Sequence, residues 1–277
     1  MKKWTSLSIM NEEVRWKLLS QALADAGAVN EYIPWTGAND GFVDIEGLSA
    51  FDHVRVSSRL APDLVRQLKV QSSWTTLLGV ADGMNNTPNG WWPLCALHEA
   101  FGDILVQLGQ NLDKRGNVFI AGAGGAARIA LAAFFKAGFQ NFLITSFDES
   151  EAMKMIQDVK ARFFGLSVQW VPTDRIVLLP GESTVLVNCT PSTDENVLLR
   201  ELSYLNFLKR PGFLFDLSRS AKPSVLVQEA NEAAVRVVTG IELAARTDVL
   251  WAKWAFQATL EVPAYRDKLT AAFAAIT

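Results

Sequence analysis

Between the short apolar run Val118-Phe119-Ile120 and the small-residue stretch Arg128–Ala137 lies the segment Gly122-Ala123-Gly124-Gly125-Ala126-Ala127. Gly138 closes the helical stretch, and a second apolar run, Phe142-Leu143-Ile144-Thr145, follows it. Strand, glycine turn, helix and strand in this order predict a parallel βαβ unit. Within it, Gly122 permits a tight turn, Gly124 lets the backbone approach a ligand, and Ala127 is small enough for helix and strand to pack closely. The helix then offers free N–H groups and a partial positive charge, which suit a diphosphate. Gly122, Gly124, Gly125, Ala126, Ala127 and Arg128 are therefore the candidate residues for a dinucleotide. The competing reading is a turn of the same shape that binds nothing.

The nucleotide type is decided at the end of the second strand. An acid there accepts ribose hydroxyls, whereas a basic residue neutralises the extra phosphate of NADP. The chain reads Thr145-Ser146-Phe147-Asp148-Glu149, with no basic residue. Asp148 is the candidate ribose partner, and NAD is favoured over NADP. Ser146 and Glu149 also fit a capping box for the next helix, so both readings of this stretch stay open.

Further strands are expected at Ser167–Val171, Val185–Asn188 and Phe213–Asp216, which predicts a doubly wound parallel sheet. Before the glycine turn, residues 11–26 read as an amphipathic helix with Val14, Leu18, Leu19, Ala22 and Leu23 on one face. Runs at 32–35 and 53–56 read as strands, 61–70 and 94–109 as helices. The turn-rich stretch 84–93 reads as a loop and a domain edge. The tail from 222 reads as mostly helical, returning to the first domain. The fold expected is α/β: an N-terminal α/β domain of residues 1–97 plus 243–277, and a dinucleotide-binding domain of residues 98–242.

A hydrophobic content of 49% with 20% charged residues calls for an ordinary buried core rather than disorder. A net charge of -3 without basic clusters argues against a nucleic-acid partner. No window reaches the length of a membrane span. The first residues do not form a signal peptide, because Asn11, Glu12, Glu13 and Arg15 break any apolar stretch. Cys95 and Cys189 offer neither a metal spacing nor a disulfide framework, which fits a cytoplasmic protein without a metal.

Four segments in order give the chain its resemblance. Ser6-Leu7-Ser8, Gly83-Met84-Asn85-Asn86-Thr87, Gly122–Arg128 and Val187-Asn188-Cys189-Thr190 resemble the corresponding segments of the shikimate and quinate dehydrogenase family. The resemblance implies a substrate domain built from both chain ends, a Rossmann domain between, and an active site in the cleft. It assigns Ser6, Ser8 and Asn86 to substrate binding and Asn188 to the cofactor. Bottom-up readings stand beside these: Ser6 and Ser8 as turn residues ahead of an Asn11 N-cap, and Asn86 as a backbone-driven turn residue.

The chain departs from the family pattern at the residues of the chemistry. The family's Lys falls on Ala61, and the segment holding its Asp is replaced by Cys95-Ala96-Leu97-His98-Glu99. A Tyr near Asp216-Leu217-Ser218 is absent, and a late Gln is replaced by Arg246 or Thr247. His98 is the candidate general acid/base, paired with Glu99, with Arg55, Arg59 or Lys69 supplying positive charge. The alternative places His98 and Glu99 on a solvated helix face. His53 reads as structural, Cys189 as buried rather than reactive, and Trp91-Trp92 as packing anchors in a loop or as lining of a cleft.

Two functions follow. One is an NAD(P)-dependent oxidoreductase for a hydroxy or keto carboxylate that is not an authentic shikimate dehydrogenase. The other is a catalytically silent, ligand-binding relative. The expected partner is a small molecule, and the sequence leaves room for a homodimer.

Overall fold

The computed structural model describes residues 1–7, 12–35, 43–58, 60–69, 72–191, 196–220 and 222–275. The chain divides into two compact units, one of Met1–Ala100 with Ala244–Thr277 and one of Phe101–Leu243.

The first unit holds a five-stranded sheet in the order β2-β1-β3-β4-β5. Its strands are β1 (Lys2–Leu7), β2 (Asn30–Tyr32), β3 (His53–Val56), β4 (Gly83–Thr87) and β5 (Gly90–Leu94). β1 runs parallel to β2 and β3, while β4 and β5 are antiparallel. Helices α1 (Glu13–Asp25), α2 (Ala61–Gln67) and α3 (Ser73–Leu78) connect the strands, and α4 (Ala96–Leu108) leads onward. Trp4, Leu19, Leu23 and Trp251 are buried in this unit's core.

Two sequence expectations change here. The stretch 84–93 is no loop or domain edge: it is the β4–β5 hairpin, turned at Pro88-Asn89 with Gly90 at φ +101°. The Thr87 hydroxyl closes the turn on the Gly90 carbonyl at 2.6 Å. Turn residues so close together hide the strands that flank them, and Pro93 is tolerated because β5 is an edge. Trp91 and Trp92 are thus strand residues, the latter 46% exposed. The buried stripe of α1 is also rotated from the expected one. Arg15, Trp16, Leu19, Ala22 and Leu23 face inward, while Val14 is exposed. Arg15 enters the core because an acidic partner awaits it there.

The second unit is a six-stranded, wholly parallel sheet in the order β11-β10-β9-β6-β7-β8. Its strands are β6 (Asn117–Ala121), β7 (Asn141–Thr145), β8 (Ser167–Trp170), β9 (Ser183–Asn188), β10 (Leu208–Asp216) and β11 (Arg236–Thr239). Its helices are α5 (Gly125–Lys136), α6 (Glu149–Arg162), α7 (Val197–Ser203) and α8 (Val225–Glu232). The strand order reverses between β6 and β9, with β7 and β8 added on one side and β10 and β11 on the other, which makes the carboxyl ends of this parallel pair the switch point where such sheets bind ligands. β11 lies in the tail read as helical; four residues are too few for a period to show. Alanines along α5 let it lie close on the sheet, with Ala127, Ala130 and Phe134 fully buried. Beyond β11, α9 (Gly240–Phe256) and α10 (Val262–Ala274) complete the chain, with residues from 244 onward in the first unit.

Among the described residues no helix is long and apolar enough to cross a membrane, and no group of acidic, His and Cys side chains could hold a metal ion.

Candidate functional site

At the carboxyl ends of β6 and β7 the backbone folds into the turn the sequence anticipates. Gly122 takes φ +107° and its N–H donates to the Thr145 carbonyl at 2.7 Å, tying the turn to the neighbouring strand. A Cβ on Gly122 would sit 3.3 Å from the Cβ of Cys189. Gly124 is the N-cap of α5, with φ -73° and ψ -169° and no side chain capping the helix. It is exposed, and a Cβ built on it meets nothing within 4 Å. No side chain caps the first turn of α5, and the residue ahead of it is exposed and carries no side chain. Uncapped N–H groups with the positive end of the helix dipole behind them can receive a phosphate.

The Arg128 guanidinium is turned to Asp158 of α6, 2.9 Å away, so the turn's attraction for an anion comes from backbone and dipole. Asp148 is the N-cap of α6: its Oδ1 accepts from the Glu151 N–H at 3.1 Å. This corrects the Ser146–Glu149 capping box. The helix starts at Glu149, so the cap and the third helical residue it binds are Asp148 and Glu151 rather than Ser146 and Glu149. Ser146 accepts instead from the Asp148 N–H at 3.4 Å.

Behind the turn lies a buried polar network at the ends of β9 and β10. The Asn188 amide donates to Asp216 Oδ1 at 2.9 Å and its oxygen accepts from the Thr190 N–H and hydroxyl. Asp216 also accepts from the N–H and hydroxyl of Ser218 and from Ser224. Asn188 is wholly buried, so these contacts fix the backbone after β9. Burial and the nearby Asp216 charge push the Cys189 thiol well above its ordinary range.

In the first unit Ser6 is buried, its hydroxyl 3.0 Å from that of Tyr32; Ser8 and Asn11 lie outside the described residues. Asn86 is exposed on β4 and its amide donates to the Phe51 carbonyl at 3.2 Å. His98 is 2% exposed in α4, so it does not lie on a solvated face; its Nδ1 is 3.4 Å from an oxygen of the half-exposed Glu99. His53 is buried between Trp251 and Phe256 with Nδ1 against Asn85, and burial lowers its pKa to about 4. Lys69 is exposed, and Arg59 is outside the described residues.

Arg55 is engaged within the core. Its Nη2 lies 3.3 Å from Asp248 and its Nη1 3.7 Å from Asp82. Arg15 binds Asp248 through Nε at 2.9 Å and Nη2 at 2.8 Å, and the Tyr265 hydroxyl donates to the same carboxylate. Asp82 accepts the Ala96 and Leu97 N–H groups at 2.7 and 2.6 Å, capping α4 just ahead of His98. Burial raises the Asp82 pKa against the pull of Arg55. Sequence reasoning missed Arg15, Asp82 and Asp248; the one available signal was an arginine interrupting the apolar stripe of α1.

A two-unit α/β protein whose second sheet carries an uncapped glycine turn at its switch point belongs to the dinucleotide-binding class of folds. No family model matches the sequence. A curated shikimate dehydrogenase (NADP(+)) from Dictyoglomus turgidum is 28% identical over 158 residues, 56% of this chain and 55% of the relative. The chain thus matches about half the length of that relative. The fold is similar throughout to shikimate 5-dehydrogenase from Listeria monocytogenes in complex with shikimate and NAD, with TM-score 0.79, 15% identity, and coverage of 97% and 95% of the two chains. It is equally similar to quinate dehydrogenase from Corynebacterium glutamicum in complex with NAD, with TM-score 0.78, 15% identity, and coverage of 97% and 98%. Over nearly its whole length the chain has the fold of the shikimate and quinate dehydrogenase structures.

Proposed function

We propose that the chain binds a nicotinamide dinucleotide at Gly122–Ala127, prefers NAD to NADP, and oxidises or reduces a hydroxy or keto carboxylate other than shikimate. One observation carries the binding: the exposed, side-chain-free N-cap Gly124 ahead of an uncapped twelve-residue helix. The residues present fit a diphosphate, with Gly122 turning the chain and the α5 amides donating. Support for a nicotinamide nucleotide comes from the relatives named above, whose complexes hold NAD. Asp148 and Glu149 are exposed and acidic beyond β7, a setting that repels a 2′-phosphate and accepts ribose hydroxyls. Bound there, the dinucleotide supplies hydride exchange with a carbinol carbon. The chain must move the accompanying proton, and His98 with Glu99 is the pair proposed for it.

A second reading, a silent nucleotide-binding relative, is favoured by specific observations. Arg55 is held in the core by two carboxylates, Ala61 is buried where the family places its lysine, and the His98 ring is buried. Calorimetry with NAD and NADP, followed by nicotinamide absorbance with a panel of hydroxy acids, separates the readings. Tighter binding of NAD with turnover that His98→Gln abolishes supports the first; NAD binding without turnover supports the second. Tighter binding of NADP overturns the cofactor preference.

A further inference from the structure

Most large apolar side chains at the sheet's crossovers are buried, yet Phe147 is 60% exposed two residues beyond the end of β7. Its position is fixed from two sides. Thr145 pairs with Ala121 across the β6–β7 register, and its carbonyl receives the Gly122 N–H. On the other side Asp148 anchors the backbone as the N-cap of α6, with the Ser146 hydroxyl accepting the Asp148 N–H. Phe147 is thus a hydrophobic ring held in solvent on a short, tethered connection beside the glycine turn. Phe164 is still more exposed, but it follows α6 and precedes β8, at the amino end of the strands, where a parallel sheet binds nothing. Phe147 stands at the binding end.

We infer that Phe147 is the stacking platform for the adenine ring of the nucleotide. The inference rests on the dinucleotide reading above and deepens it. In βαβ units of this kind the adenosine half of a dinucleotide on the first helix lies at the end of the second strand, here β7, where the acids Asp148 and Glu149 follow the ring in sequence. A planar, uncharged heterocycle suits an exposed phenyl face, and burying both removes apolar surface from water. An aromatic ring in place of a basic residue also alters what is selected: it reads the base and gives no counter-charge to a 2′-phosphate.

The test is calorimetry on the full chain with NAD, ADP-ribose and nicotinamide mononucleotide, which lacks the adenine. Phe147→Ala is expected to weaken NAD and ADP-ribose about tenfold, within the range for base stacking on an aromatic side chain. Nicotinamide mononucleotide should bind the variant as it binds the parent, and Phe147→Tyr should restore NAD to near the parental affinity. Because the ring is exposed, thermal melting should show both variants folded. Unchanged NAD affinity in Phe147→Ala overturns the inference while leaving the dinucleotide reading intact. Equal weakening by Phe147→Ala and Phe147→Tyr overturns it as well, since a stacking face survives in tyrosine. Failure of the parent chain to bind any of the three ligands overturns both readings together.

Discussion

Replacing Gly124 by alanine isolates the diphosphate site from the stability of the fold. The residue has φ -73°, a value alanine adopts freely, and its added Cβ meets no atom within 4 Å. As an N-cap, alanine is worse than glycine by about 0.5–1 kcal/mol. The alanine also restricts the unfolded chain, which returns about 0.4–1 kcal/mol. The two terms oppose each other, so the expected net change is under about 0.5 kcal/mol. Gly122→Ala is the contrasting case. With φ at +107° and Cys189 Cβ at 3.3 Å, alanine is strained whatever it binds, and about 1–3 kcal/mol of stability should go. Calorimetric melting should therefore separate the two variants, with Gly124→Ala near the parent and Gly122→Ala clearly below it. Titration with NAD should then show Gly124→Ala weakened by at least about tenfold, because its methyl occupies the space the diphosphate needs beside the backbone. A stable Gly124→Ala protein that binds NAD with parental affinity would falsify the placement of the diphosphate on this turn.

Three further outcomes follow from the geometry. Asp248→Ala leaves the Arg15 and Arg55 guanidiniums without their shared carboxylate in the core, and should cost about 3–5 kcal/mol in urea unfolding; a loss below about 1 kcal/mol would show the pairs to be dispensable. His53 titrates at about 4 when folded against an ordinary value near 6.5, so the unfolded chain binds the extra proton between those pH values and stability falls as pH drops through this window. His53→Gln should flatten the slope of unfolding free energy against pH from 6.5 to 4, and an unchanged slope would assign it to other groups. Cys95 is buried and its thiol, like that of Cys189, is pushed well above the usual range, so neither should react with a thiol reagent at pH 8 until the protein is unfolded; fast labelling of the folded protein would contradict this.

How much of this was legible in the sequence depended on how local the cause was. The βαβ unit at 117–145 could be read because its strand, turn and helix are contiguous and each obeys its own period. The structure places β6, the turn and β7 within a residue or two of the reading, with α5 starting at Gly125 rather than Arg128 because Gly125, Ala126 and Ala127 already form its first turn. The β4–β5 hairpin was missed since Asn, Pro and Gly at 85–90 signal a turn far more strongly than short flanking strands signal pairing. The stretch 146–149 stayed divided between a Ser146–Glu149 capping box and a ribose contact at Asp148, because polar residues at a helix start serve both purposes. The structure shows Oδ1 capping α6, and that role is compatible with the other.

The first unit resisted reading for a different physical reason. Its polar centre is assembled from Arg15 on α1, Arg55 on β3, Asp82 ahead of β4 and Asp248 on α9, and the Arg15–Asp248 pair spans 233 residues of sequence. Arg55 reads as a charge available to chemistry and the other three give no sign of burial, because charged groups are rarely buried without a partner and the partner is not visible locally. Once assembled, the group changes what Arg55 can do. A guanidinium between two buried carboxylates is stabilised by them and is not free to attract a developing alkoxide. The same network reaches the start of α4 through Asp82, whose two oxygens hold the Ala96 and Leu97 amides and so set the helix that carries His98. The charges that a sequence reader would offer to chemistry are therefore spent on placing α1, β3, α4 and α9 together. Under the oxidoreductase reading, His98, which heads no ion pair of that network, is the residue to replace first, ahead of Arg55 and Asp82 whose charged groups are tied to it.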